Sequence, residues 1–155
     1  MSDTYTLVPI GHVVGGRDVV RDDDWGAERA TIRLDGERFT PDSVAGLDAF
    51  SHLEVVYLFD RVDPDAVELG ARHPRRNTDW PRVGIFAQRA KDRPNRLGVS
   101  RCALLAIDGL DLAVAGLDAV AGTPVLDIKP YMNEFGPQGP VRQPAWASEL
   151  MAGYW

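Results

Sequence analysis

A mainly β domain, its sheet closed into a small barrel or stacked as a sandwich, is predicted by this sequence on three observations. Short apolar runs with period-two alternation recur between clusters of Gly, Pro, Asn and Asp. Only one stretch combines helix spacing with helix start signals. The dipeptide Asp108-Gly109 joins two long apolar runs and fits a two-residue hairpin turn with positive φ at both centres.

The elements follow in chain order. Residues 4–14 are apolar and β-branched but broken by Pro9 and Gly11, which predicts an edge or irregular strand. After the polar loop "GGRDVVRDDDWGAE", the run "ATIRL" puts Ala30, Ile32 and Leu34 on one face of a half-buried strand. In "TPDSVAGLDAF", Thr40 stands as an N-cap, Pro41 at the first helical position, and Val44, Leu47 and Phe50 form an apolar face, so residues 40–50 predict one short helix. "HLEVVYLFD" is the most strand-like run and predicts a central strand over 52–60. Residues 61–82 are rich in Pro, Arg and Asp without periodicity, a long surface loop of the kind that carries function. "VGIFAQR" predicts a strand over 83–89, the Asp108-Gly109 hairpin follows, and "GTPVLDIKPYM" adds a strand whose ends hold Pro124 and Pro130. A last helical turn is expected through Trp146, Leu150 and Met151.

At 155 residues the chain fits one domain, 1–155, able to bury roughly two-thirds of its unfolded surface. One cysteine, Cys102, excludes an internal disulfide, and His12, His52 and His73 lack metal-ligand spacing, so no metal is expected. A cytoplasmic setting is the expectation, with no membrane segment and no secretory leader. The net charge of −6 argues against a general nucleic-acid coat, yet the basic residues concentrate between Arg72 and Arg96 with only Asp79 and Asp92 to balance them. No GxGxxG, P-loop, GxSxG or zinc pattern occurs, which excludes the Rossmann reading.

Three segments, "AFSHLEVVYLFDR", "GIFAQRAKDRPNRLGVS" and "LDAVAGTPVLDIKPY", occur in an order and spacing that closely resemble the signature segments of the TrmO family, also called YaeB or TsaA-like, of S-adenosylmethionine-dependent tRNA methyltransferases. The opening "IGHV" is similar too, and the resemblance spans roughly residues 5 to 140. It implies a single compact β-barrel, a homodimer, S-adenosylmethionine as methyl donor, and N6-methylation of N6-threonylcarbamoyladenosine at position 37 of tRNA. It also implies donor contacts at Asp24, Trp25 and Gly26, at Asp60 and Arg61, at Arg89 and Val99, and at Ala115, Gly116, Leu117 and Asp118. A guanidinium such as Arg89 suits the donor's carboxylate, and Asp60 or Asp118 its ammonium or ribose hydroxyls. Taken alone, Arg89 reads equally as a solvated strand-end arginine and Asp118 as a turn aspartate.

In "DIKPY", Asp127, Lys129 and Tyr131 share a strand face, either bordering the pocket as catalytic groups or forming a buried ion pair. Asn95 joins them as a catalytic candidate, since "RPNRLGVS" can hold Arg93 and Asn95 rigidly at a pocket rim. Arg72, Arg75, Arg76, Lys91 and Arg93 are the expected RNA contacts. The chain departs from the family's usual "RPNPIG" at Arg96 and from its usual acidic residue at Ala121, and no additional C-terminal domain is expected within 155 residues. The alternatives are methylation of a small metabolite and a non-enzymatic S-adenosylmethionine-binding regulator.

Overall fold

The computed structural model describes residues 2–155; Met1, the first residue of the expected domain, lies outside the described residues. The strands are β1 (Gly11–Val14), β2 (Arg29–Leu34), β3 (His52–Leu58), β4 (Ala71–Arg72), β5 (Val83–Gly84), β6 (Leu97–Asp108), β7 (Asp111–Ala115) and β8 (Pro124–Pro130), followed by the α-helix α1 (Ala145–Met151). Six of them close a barrel in the order β1-β2-β7-β6-β3-β8, and β4 pairs with β5 beside it. All neighbours in the ring are antiparallel, and β1 returns to β8 through Gly11 and His12. Closure removes the unpaired strand edges that an open sheet of this size would expose.

Alternation along the strands fills the barrel. In β3, Leu53, Val55 and Tyr57 point inward while Glu54 and Val56 do not. Ile32 and Leu34 of β2, Cys102 of β6, Leu112 and Val114 of β7, Val13 and Val125 complete the buried cluster. The β-branched and aromatic character of 52–60 therefore does produce a strand flanked on both sides, by β6 and β8. A register shift in β6 between Leu104 and Ala106 turns Leu105 to solvent and brings Ile107 back onto the core, as a bulge does.

Several elements differ from expectation for local reasons. The hairpin is where the sequence puts it, but Asp108 pairs with Asp111, so the turn centres on Gly109 and Leu110, with positive φ (61°) at Gly109. The helix expected over 40–50 is two 3-10 turns, Pro41–Val44 and Leu47–Ala49. Gly46 between them sits at φ 82°, and Thr40 makes no side-chain capping bond. The α-helix forms instead at Ala145–Met151, where only a turn was expected. In 4–14 only Gly11–Val14 is strand. The strand expected over 83–89 lasts two residues and becomes the 3-10 turn Ile85–Ala87, because its partner β4 ends just before the Pro74 turn, where the ladder loses a donor.

Candidate functional site

An open cleft of about 1260 Å³ lies against the barrel, lined by the first loop, the end of β3, the loop 61–93, the start of β6, the turn after β7 and the C-terminal segment. Its floor depends on a close approach. A Cβ at position 98 would lie 2.5 Å from two ring carbons of Tyr57, so Gly98 of "RPNRLGVS" lets the Tyr57 ring pass beneath β6. The preceding turn, Pro94–Arg96, holds Asn95 and Arg96 at φ 62° and 51°. Arg96 donates to the Val62 carbonyl at 2.8 Å. A proline at 96 could not take that backbone conformation, so the departure from "RPNPIG" belongs to a different turn geometry.

Three hydroxyls converge on one carboxylate at the cleft floor. Tyr57, only 2% exposed, donates to Asp118 Oδ1 at 3.1 Å. Ser100, 7% exposed, donates to the same oxygen, and Tyr154 donates to Oδ2. The inward face of β3 presents Tyr57, the inward face of β6 presents Ser100, and the segment after α1 brings Tyr154 from the opposite side. Burial first, and then the Asp118 charge, push both phenols well above the ordinary tyrosine range. The same two causes push the Cys102 thiol up to about 12.

These raised values fix a sign. Below about pH 8 the three groups are neutral in both folded and unfolded chains, and their contribution to stability is complete. From roughly pH 9 upward the unfolded chain releases protons that the folded chain retains, so stability is expected to fall as pH climbs towards 12. Denaturant titrations at stepped pH check this, and Cys102→Ala should reduce the fall at its lower end.

The basic residues of the cleft fall into two groups. Arg72 pairs with Asp92 at 2.9 Å, and Arg75 pairs with Asp23 at 3.0 Å. Arg93 donates to the carbonyls of Gln88 and Ala90, and Arg61 to those of Asp18 and Ala121. Arg89 donates one N–H to the Val99 carbonyl at 2.7 Å. Arg76 and Lys91 have neither a carboxylate nor a side-chain hydrogen-bond partner among the described residues, whereas Arg61, Arg89 and Arg93 donate to backbone carbonyls. Arg75 and Arg76 both occupy the left-handed region, at φ 50° and 57°, in the Pro74–Arg76 turn. Such backbone persists where surrounding structure over-determines it, often at binding sites.

Of the donor contacts implied by the resemblance, Trp25, Asp60, Arg61, Arg89, Val99 and Asp118 line the cleft; Asp24, Gly26, Ala115, Gly116 and Leu117 do not. Along the last loop the lining continues instead through Ala119 and Val120. Of the expected RNA contacts, Arg72, Arg75, Arg76, Lys91 and Arg93 all line it. The structure does not bring Asn95, Asp127, Lys129 or Tyr131 into the lining. Neither alternative for these residues holds: Lys129 and Asp127 pair at 3.5 Å, but exposed on the outer face of β8 and away from the cleft. Tyr131 lies there under Arg101, which pairs with Glu54 of the neighbouring strand. Sequence reasoning missed Tyr57, Ser100 and Tyr154. The signal for Tyr57 was present, since alternation with Leu53 and Val55 turns its hydroxyl inward, where a partner is required. Among the described residues no cluster of His, Cys, Asp and Glu could hold a metal ion, and no helix is long and apolar enough to cross a membrane.

The chemistry of the lining suits a donor carrying a carboxylate, an ammonium, a ribose and an adenine. Arg89 keeps N–H groups beyond the one given to Val99, Asp60 and Asp118 are acceptors, and Val99 and Phe59 are apolar surface. The Gln88 Oε1 and Arg72 Nε atoms in the same wall lack protein partners.

Comparison with known proteins identifies the family and the fold. The family model described as tRNA-methyltransferase O N-terminal domain matches residues 22–136. A human protein named tRNA (adenine(37)-N6)-methyltransferase is 33% identical over 118 residues, which are 75% of this chain and 26% of that protein. The protein of the same name from Escherichia coli K12 is 40% identical over 95 residues, 59% of this chain and 40% of its own length. A crystal structure of TrmO from P. aeruginosa superposes with a TM-score of 0.74 at 25% identity, covering 94% of this chain and 63% of that one. The chain thus spans less than half the length of these two curated relatives.

Proposed function

We propose, from the premise that the chain belongs to the tRNA-methyltransferase O N-terminal domain family, that it is an S-adenosylmethionine-dependent methyltransferase acting on tRNA, with N6-threonylcarbamoyladenosine at position 37 as acceptor. The observation that carries this reading is the gathering of Asp60, Arg61, Arg89, Val99 and Asp118, from four separate stretches of chain, into one cleft that also holds the unpaired cations Arg76 and Lys91. The names of the relatives reported above support methyl transfer to a tRNA adenine.

The residues divide the work as follows. Arg89, its plane fixed by Val99, takes the donor's carboxylate, and Asp60 and Asp118 take its ammonium and ribose hydroxyls. Val99, 44% exposed, offers the apolar surface for adenine. The donor supplies a methyl group already activated on a sulfonium. The protein's task is to align the acceptor nitrogen in line with it and exclude water, and alignment of this kind accounts for a large part of such rate enhancements. The acceptor nitrogen must also lose a proton, to a group of the cleft or to solvent. Tyrosines held neutral beside Asp118 do not compete as bases near neutral pH. A tRNA acceptor implies a cytoplasmic reaction. A homodimer, as the family resemblance implies, is part of the proposal.

Arg76 and Lys91 are the phosphate contacts in this account, because the other cations are already engaged. Replacing both with alanine is expected to leave donor binding intact and to flatten the slope of log affinity for tRNA against log salt by about 1.5. Filter binding over a salt series measures it. In the source organism, deletion of the gene should remove methylated N6-threonylcarbamoyladenosine from the tRNA nucleosides seen by mass spectrometry. An unchanged nucleoside profile would reject the proposed acceptor.

A further inference from the structure

Residues 144–155 are joined to the cleft by contacts of three kinds. The Asp24 and Trp25 amides donate to the carbonyls of Gly153 and Tyr154 at 3.0 and 2.8 Å, a short ladder between the first loop and the end of the segment. Gly26 permits this approach, since a Cβ there would lie 2.7 Å from the Trp155 carbonyl carbon. On α1, Glu149 accepts from the Trp80 indole at 2.7 Å, tying the helix to the long loop. The third contact is the Tyr154 hydroxyl on Asp118, and Trp146, Leu150, Met151 and Trp155 line the cleft beside it. Residues 144–155 themselves lie outside the matched family region, 22–136, whereas their partners Asp24, Trp25, Trp80 and Asp118 lie inside it.

We propose that residues 144–155 form a strap that completes the cleft, and that Tyr154 is a positioning residue which fixes the Asp118 carboxylate for its ligand. A carboxylate accepts about four hydrogen bonds. Tyr57, Ser100 and Tyr154 occupy three and set the plane of the group from three elements, leaving capacity for one N–H or O–H of a ligand in the cleft. The Cys102 thiol and the Arg75 and Arg89 guanidiniums are the other titratable groups around this cluster. Without the Tyr154 hydroxyl, Oδ2 loses its donor and the carboxylate is held through Oδ1 alone, and the strap loses its attachment to Asp118. The strap closes by hydrogen bonds and apolar contact alone. Only the identity of the ligand rests on the methyl-donor reading.

The test uses the full chain, with S-adenosylhomocysteine as the calorimetric probe and hydrogen exchange at Asp24 and Trp25 as a readout that needs no ligand. Tyr154→Phe keeps the ring and removes the hydroxyl. It is expected to weaken S-adenosylhomocysteine binding by about tenfold or more, the effect of one bond to a charged group, and to speed exchange at both amides. In transfer assays it should raise KM for the donor while leaving KM for tRNA unchanged, a split that general destabilisation would not produce. Glu149→Ala, which loosens the strap without touching Asp118, should shift exchange in the same direction and keeps the proposal testable should Tyr154→Phe fold poorly. Unchanged affinity or unchanged exchange in Tyr154→Phe overturns the proposal. If the unaltered chain binds no S-adenosylhomocysteine, the methyl-donor reading fails instead, and the exchange rates alone decide the strap.

Discussion

Asp118→Ala is expected to reduce methyl transfer about 10- to 100-fold at sub-saturating donor and to lower the unfolding free energy by about 2–3 kcal/mol. Two physical effects combine. The ligand loses a charged acceptor, whose hydrogen bond alone accounts for roughly a 10- to 100-fold change in affinity. The protein also loses the common partner of Tyr57, Ser100 and Tyr154, of which Tyr57 and Ser100 are buried and cannot turn to water. Asp118→Asn separates the two effects. It preserves the shape and one carbonyl acceptor, so stability should recover in large part while donor affinity does not. Calorimetric binding and denaturant melts on both variants give the comparison.

Leu53→Ala carries the second large effect, on the barrel itself. Leu53 is 0% exposed, and its strand is the one flanked by both β6 and β8. Truncation removes apolar contacts and leaves a cavity that strands hydrogen-bonded on both sides cannot collapse into, at a cost of about 3–4 kcal/mol. For a chain of this size that lowers the melting temperature by roughly ten degrees. Because Tyr57 lies on the same face four residues along β3, the loss should reach the cleft floor. Circular dichroism melts measure the first consequence, and donor affinity at low temperature the second.

How much of this was legible in the sequence depends on the range of the interaction involved. Period-two alternation is a local property, and it predicted β2 with Ile32 and Leu34 on its inward face, while β-branched and aromatic content, equally local, predicted β3. The Asp108-Gly109 signal gave the hairpin but not its register. Pairing of Asp108 with Asp111 moves the turn by one residue, and that depends on how β6 and β7 pack. Helix signals at Thr40 and Pro41 were overridden by Gly46, whose left-handed backbone breaks the run after one turn. The cleft is built from long-range contacts and was correspondingly less visible. Arg75 finds Asp23 across 52 residues and Tyr57 finds Asp118 across 61, so composition could mark a basic stretch without showing which of its cations were already paired. "DIKPY" was read correctly as residues sharing one face, but which face was not in the pattern, and it is the outer one. The resemblance to a family supplied what spacing could not, namely a reason to look at Arg89 and Asp118 as a pair.

The central claim is that this cleft moves a methyl group from S-adenosylmethionine to tRNA, and transfer of label tests it most directly. Purified chain is incubated with methyl-labelled S-adenosylmethionine, total tRNA and, separately, a small-molecule extract, with Asp118→Ala in parallel. Label in tRNA, recovered as an N6-methylated adenosine derivative and strongly reduced with Asp118→Ala at sub-saturating donor, is the predicted result. Label confined to the small-molecule fraction, or label in tRNA that Asp118→Ala transfers equally well, would contradict the account.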